Sequence, residues 1–175
     1  MNRIHQLYPY ILTSHPIDIE ASFSLSAKSL TLKFLLHGAF SNYLFPTNKT
    51  STRTNELWRA TCFELFLKNP NAKEYWELNI APSGAWNFYR FSDYKKDMQE
   101  ESRVLRSKVV FKKERDEVEV NVKIDFTEKL FDENVEFNLA LILLDVEERR
   151  HFFTLNPKES MPDFHDFILI DKRSI

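Results

Sequence analysis

The sequence predicts an all-β protein: an antiparallel β-sandwich of jelly-roll type, one domain over 1–175, with one short helix. Three observations lead there. Ten or so segments alternate apolar and polar residues with period two, the mark of strands with one face buried. No apolar pattern of helical period runs long enough to build an α/β fold. The chain has only 2 Gly, against about twelve from average usage, so its many turns rest on Pro, Asn, Asp and Ser.

The elements follow in order. Residues 17–25 place Ile17, Ile19, Ala21, Phe23 and Leu25 on one face, and 30–37 follow after a short polar turn. In 61–67, Phe63, Leu65 and Leu67 share a face and Cys62, Glu64 and Phe66 the other. Residues 75–81 and 85–91 flank Pro82-Ser83-Gly84 as a hairpin. Residues 106–113 and 117–124 pair across the charged turn Glu114-Arg115-Asp116. The set closes with 135–144, 150–155 and 167–170. Residues 125–134 (DFTEKLFDEN) are expected to form the short helix, capped by Asp125 or Thr127. Residues 41–55 and 92–103 read as loops, where binding residues tend to sit on a rigid sandwich.

Bulk properties exclude several classes. A net charge of −2 without a basic block argues against nucleic-acid binding. No stretch approaches the roughly 20 apolar residues of a membrane helix, and residues 1–16 lack the apolar run of a secretion signal. A cytoplasmic address is the default expectation. Cys62 is the only cysteine, which excludes an internal disulfide, and its apolar strand suits a small buried hydrophobe better than a reactive thiol.

The hairpin carries the most information. With Gly84 in the left-handed position of a three-residue loop, facing residues have numbers summing to 166. Asn79 then opposes Asn87, Glu77 opposes Tyr89 and Tyr75 opposes Phe91. On the reverse face Ile80 meets Trp86, Leu78 meets Phe88 and Trp76 meets Arg90. The second set packs a core. The first mixes amide, carboxylate and phenol, a combination that holds sugars, because rings stack on C–H faces while amides and carboxylates bind hydroxyls. The same set also suits the solvated outer face of a sandwich.

Three blocks, ELWRATCFELF (56–66), YWELNIAPSGAWNFYRFSDYKKDM (75–98) and PDFHDF (162–167), resemble the bacterial DOMON-like domains, relatives of family-nine carbohydrate-binding modules. The likeness runs in order through most of the chain. It implies a β-sandwich with a ligand site on one concave sheet, in a family whose members bind sugars or haem. It points to Trp58 and Glu64 as a pair that stacks on, and hydrogen-bonds, a terminal sugar. Glu77, Asn79, Ser83, Trp86, Tyr89 and Tyr94 match the second block, and Asp163 with His165 the third. Arg90 is similar to an arginine that the sugar-binding relatives aim at hydroxyls, yet the hairpin parity puts it on the other face. This chain departs from the family by carrying Asn156 and Asp166 where histidines are frequent. A second aromatic wall has no motif behind it; Phe152, Phe153 and Phe164 are available.

Other chemistry is weaker. Asp163 and His165 at i, i+2, with Asp166 adjacent, could ligate a metal, but a hydrogen-bonding role fits this spacing better. Haem would need two axial ligands, for which only Met98 and His165 offer themselves. Glu64 and Glu77 could be imagined as a glycosidase pair, but no phosphate loop, nucleophile elbow or zinc-protease motif accompanies them. The expectation is a non-catalytic domain without cofactor or metal that binds a carbohydrate or similar polyhydroxylated molecule. Its contacts would be Trp58, Glu64, Glu77, Asn79, Trp86, Asn87, Tyr89, Arg90, Asp163 and His165. The alternative is an interaction domain whose aromatic patch binds a partner chain or a second copy.

Overall fold

The computed structural model describes residues 3–11, 16–48, 51–132, 134–158 and 162–165. Two antiparallel sheets face each other. The first holds β1 (His5–Gln6), β3 (Asp18–Ser26), β4 (Ser29–His37), β9 (Val104–Lys113) and β10 (Glu117–Phe126), in the order β1-β3-β4-β10-β9. The second holds β2 (Tyr8–Pro9), β5 (Cys62–Lys68), β6 (Tyr75–Ile80), β7 (Trp86–Phe91), β8 (Gln99–Glu100), β11 (Glu136–Leu144) and β12 (Arg150–Thr154). Its order is β2-β12-β11-β5-β6-β7-β8. The expected strand at 167–170 lies outside the described residues.

Alternation fixes which face meets which. β4 sends Leu30, Leu32, Phe34 and Leu36 inward, and β10 sends Val118, Val120, Val122 and Ile124, all nearly inaccessible. From the second sheet Phe63, Leu65, Leu67, Leu78, Ile80, Phe88, Leu139 and Leu141 answer them. Phe34 meets Phe63 across the gap with centroids 5.3 Å apart. Each such side chain contributes about 1.5–3 kcal/mol on burial, so this layer dominates the stability. The faces expected from 17–25 and 61–67 are those observed.

The β6–β7 hairpin has the expected register, including Asn79 opposite Asn87 and Trp76 opposite Arg90. Gly84 supplies the turn at φ +88°, and its N–H donates to the Ala81 carbonyl at 3.0 Å. Among the described residues of 125–134 the expected helix does not form. Phe126 ends β10, and the backbone beyond it bonds to distant segments instead of to itself. The Phe126 N–H donates to the Lys28 carbonyl, Thr127 N–H to the Arg103 carbonyl, and Asp132 N–H to Asn69 Oδ1. Leu130 and Phe131 are thereby laid flat on the core. The one helical element described is a 3₁₀ turn, Leu57–Arg59.

The second sheet differs from a half-solvated sandwich face. Its central strands β5, β6 and β7 are buried on both sides, with Arg90 exposed and Lys68 half-buried. A second apolar cluster, including Cys62, Phe66, Tyr75, Tyr89, Phe91 and Phe164, covers the face turned away from the main core. Asn79 and Asn87, offered above as polar residues meeting water, have no exposed surface.

Candidate functional site

Three segments far apart in sequence cover that second face. Residues 51–58 are tied to the start of β7: Trp86 N–H donates to the Thr52 carbonyl and Thr54 N–H to the Trp86 carbonyl. Asn55 Oδ1 accepts from the Tyr89 hydroxyl at 2.8 Å and from Asn87 Nδ2 at 2.9 Å. This anchoring carries the 3₁₀ turn over the sheet, where Trp58 stands edge-on to Tyr89 with centroids 5.9 Å apart. Residues 162–165 form the second cover. Buried Asn138 donates to the Phe164 carbonyl at 2.9 Å, and the Tyr75 hydroxyl shares a 2.7 Å hydrogen bond with His165 Nδ1. Asp163 joins this segment to the third, bonding the Tyr94 hydroxyl and Lys95 Nζ, the latter at 3.2 Å.

Between these covers and the sheet lies a cavity of about 780 Å³. That is the size of a small-molecule site. Trp58, Phe152 and Phe164 give it aromatic walls, and Glu64 and Glu77 bring carboxyl groups to its lining. The pairing β11–β5–β6–β7 puts Ala140, Glu64, Asn79 and Asn87 in one row across the sheet, and Asn138, Phe66, Glu77 and Tyr89 in the next. Polar side chains on neighbouring rungs of three strands thus come together by register alone.

Their electrostatics are unusual. Glu64 is 2% exposed, and burial, reinforced by the neighbouring Glu77 charge, pushes its carboxyl well above the ordinary range. Burial also lifts Glu77 from 4.5 to about 7, partly offset by the hydrogen bond that Asn79 Nδ2 donates to Glu77 Oε1 at 2.7 Å. Burial thus favours the neutral acid form of Glu64, while Glu77 titrates at about 7. Glu64 Oε1 and Asn79 Oδ1 are buried without a hydrogen-bond partner among the described residues. An orphaned buried acceptor costs about 1–3 kcal/mol, and it costs nothing once a donor arrives.

The expected site residues divide into three groups. Trp58, Glu64, Glu77, Asp163 and His165 line the cavity. Asn79, Asn87 and Tyr89 lie beneath the lining or beside it, holding Glu77 and the 51–58 segment in place. Trp86 and Arg90 are elsewhere. Trp86 belongs to the main core with Arg53 stacked 4.7 Å over its ring, and Arg90 projects outward to pair with Glu74. Asp163 and His165 are engaged with Tyr94, Lys95 and Tyr75, and burial lowers the His165 pKa to about 4. No group of three or more metal-ligating side chains occurs among the described residues. Of the three phenylalanines without a motif, Phe152 and Phe164 line the cavity while Phe153 is in the main core. Lys95, Arg150 and Phe91 also line it. No sequence motif marked them, although 92–103 was readable as a functional loop.

Solved structures share this fold. A candidate carbohydrate-binding protein from Bacteroides uniformis superposes with a TM-score of 0.64 at 13% identity, covering 93% of this chain and 84% of its own. A family-nine carbohydrate-binding module from Caldicellulosiruptor kristjanssonii, solved with cellotriose, gives 0.53 at 15% identity, covering 88% and 72%. The structure of such a module from that organism with glucose gives 0.53 at 14%, covering 89% and 73%. No protein-family model matches the chain, and no curated protein sequence does. At these identities the likeness establishes the architecture: this chain has the β-sandwich fold of the family-nine carbohydrate-binding modules.

Proposed function

We propose that the chain is a non-catalytic binding domain whose cavity takes a carbohydrate or a similar polyhydroxylated molecule. The observation that carries this reading is the buried acceptor cluster beside Trp58: Glu64 Oε1 and Asn79 Oδ1 lack donors, and hydroxyl groups are donors. Trp58 supplies an apolar ring face to a sugar's C–H face, while Glu64 and Glu77 accept from or donate to its hydroxyls. Support comes from the fold, since two structures of the same architecture were solved with cellotriose and glucose. The DOMON-like resemblance of the sequence blocks agrees with the same assignment.

Calorimetry and tryptophan fluorescence against glucose, cellobiose and cellotriose test the proposal. Saturable binding is expected, weakened at least about tenfold by Trp58→Ala or Glu64→Ala, in line with the loss of a stacking contact or of a buried hydrogen-bonding group. Flat titrations across neutral and acidic sugars alike would refute it.

A further inference from the structure

We propose that the cavity is selective for an acidic sugar, with Arg150 receiving the ligand's carboxylate. This deepens the binding reading above and rests on it. Among the cations lining the cavity, Lys95 is held by Asp163 at 3.2 Å, and Arg149 by Asp145 and Glu147, each at 2.9 Å. Arg150 has no carboxylate partner among the described residues, yet it is placed: its guanidinium lies 5.6 Å over the ring of Phe152, itself part of the cavity wall. Phe152 in turn packs against Phe164 at 6.0 Å. A stacked guanidinium keeps its planar fork of donors in one plane, ready for the two oxygens of a carboxylate.

The cavity's charge balance favours the same ligand. Burial favours the uncharged forms of Glu64 and Glu77, and Asp163 is paired with Lys95. The positive charge of Arg150 is left over. Its neighbour along the chain, His151, is bonded to Asp145 at 2.9 Å and adds no competing carboxylate to the cavity. Register gives the spacing. Phe152 pairs with Ile142 and Ile142 with Cys62, two residues from Glu64 on the same face. Two strand steps of about 4.8 Å and one two-residue step of about 7 Å separate Phe152 from Glu64 by roughly 12 Å at the backbone. The Arg150 guanidinium lies over Phe152, so about that span separates it from Glu64, a distance that a disaccharide bridges. Hydroxyls of the ligand would meet Glu64 and Glu77 while its carboxylate meets Arg150.

Matched pairs of ligands test the inference: methyl β-glucoside against methyl β-glucuronide, and cellobiose against the disaccharide in which glucuronic acid replaces the non-reducing glucose. Calorimetry at pH 7 and low salt is expected to show the acid of at least one pair bound about tenfold more tightly, the worth of one charge-assisted contact. Raising the salt to about 0.5 M shrinks the ratio as the pair is screened. In Arg150→Gln the acid and neutral affinities converge, whereas Arg150→Lys keeps part of the preference. Equal binding of acid and neutral members by the native protein overturns the inference and leaves the sugar-binding proposal standing, as does a preference that survives in Arg150→Gln. Absence of binding by both members of both pairs overturns the two together.

Discussion

Replacing Glu77 by Gln should remove a defined, pH-dependent penalty from the fold. Glu77 is 6% exposed, and its one observed side-chain hydrogen bond comes from Asn79. Its pKa rises from 4.5 in the unfolded chain to about 7 in the folded one. Between those values the folded protein holds a proton that the unfolded chain has released, so stability falls as pH rises, and the loss is complete above pH 7. At about 1.4 kcal/mol per pH unit the penalty is roughly 3 kcal/mol. His165 slopes the other way: its pKa is lowered to about 4, so it favours folding as pH rises from 4 to its ordinary 6.5. The raw stability curve therefore mixes these with other shifted groups, Glu64 among them.

The difference between native protein and Glu77→Gln reports the Glu77 carboxyl together with the relief of Glu64 from its charge. Urea unfolding at pH 4.5 and pH 8 is expected to show the variant gaining about 3 kcal/mol relative to native over that interval. For a chain of this size this is a melting-temperature gain of about 6–12 °C. A difference that stays constant with pH would show that Glu77 titrates normally and that the buried carboxyl account is wrong.

Three further substitutions test the frame around the site. Gly84→Ala forces a side chain onto φ +88° with only ordinary contact at 3.5 Å from Ser51 Oγ, so the cost is backbone strain of about 1 kcal/mol, read as a lower urea midpoint at unchanged slope. Glu101→Gln weakens a buried junction in which the carboxylate accepts from Trp76 Nε1 at 2.8 Å and from Arg103 Nε and Nη2 at 2.8 and 2.6 Å. Burial works to raise this pKa, but the Arg103 and Trp76 bonds outweigh it and bring it to about 2. Its stabilisation is present above pH 4.5 and fades as pH falls through 2, so the variant should lose about 2–3 kcal/mol at pH 7 and converge with native protein in acid. Phe34→Ala empties the contact with Phe63 and should cost about 3–5 kcal/mol, measured by thermal unfolding.

Much of this architecture was legible because strand parity is a strict rule. Once Gly84 fixed the hairpin turn, the register of β6 on β7 followed, and with it the separation of Trp86 and Phe88 from Asn79, Glu77 and Tyr89. Parity put Arg90 on the face away from the polar set, against its inclusion among the expected contacts, and the structure has it projecting outward, paired with Glu74. What covers the second face was legible only in part, since the resemblance pointed to Trp58, Asp163 and His165 but not to Lys95 or Arg150. Trp58, Lys95, Arg150 and Phe164 reach the cavity from four segments whose meeting depends on β12 pairing with β11 and on Asn138 holding the Phe164 carbonyl. No local pattern encodes such long-range contacts. The misread helix has a similar cause: 125–134 has the composition of an amphipathic turn, but the carbonyl of Lys28 and the side chain of Asn69 claim its N–H groups first.

The two cavity carboxyls, alike in sequence, differ in their charged neighbours. Each accepts a bond that favours its charged form, Glu77 from the Asn79 amide and Glu64 from the Cys62 thiol, but Glu64 meets the Glu77 charge on top of its burial. Burial and that charge favour the neutral form of Glu64, and a glutamine is the closest mimic of a neutral glutamic acid. Glu64→Gln should therefore leave stability within about 1 kcal/mol at pH 7, because its amide can donate toward the orphaned Asn79 Oδ1 on the opposing rung. Glu64→Ala instead removes the hydrogen-bonding group and opens the floor of the cavity beside Asn79. If Gln at position 64 abolished sugar binding as thoroughly as Ala, the ligand would be reading a carboxylate there, and the assignment of the proton to Glu64 would be reversed.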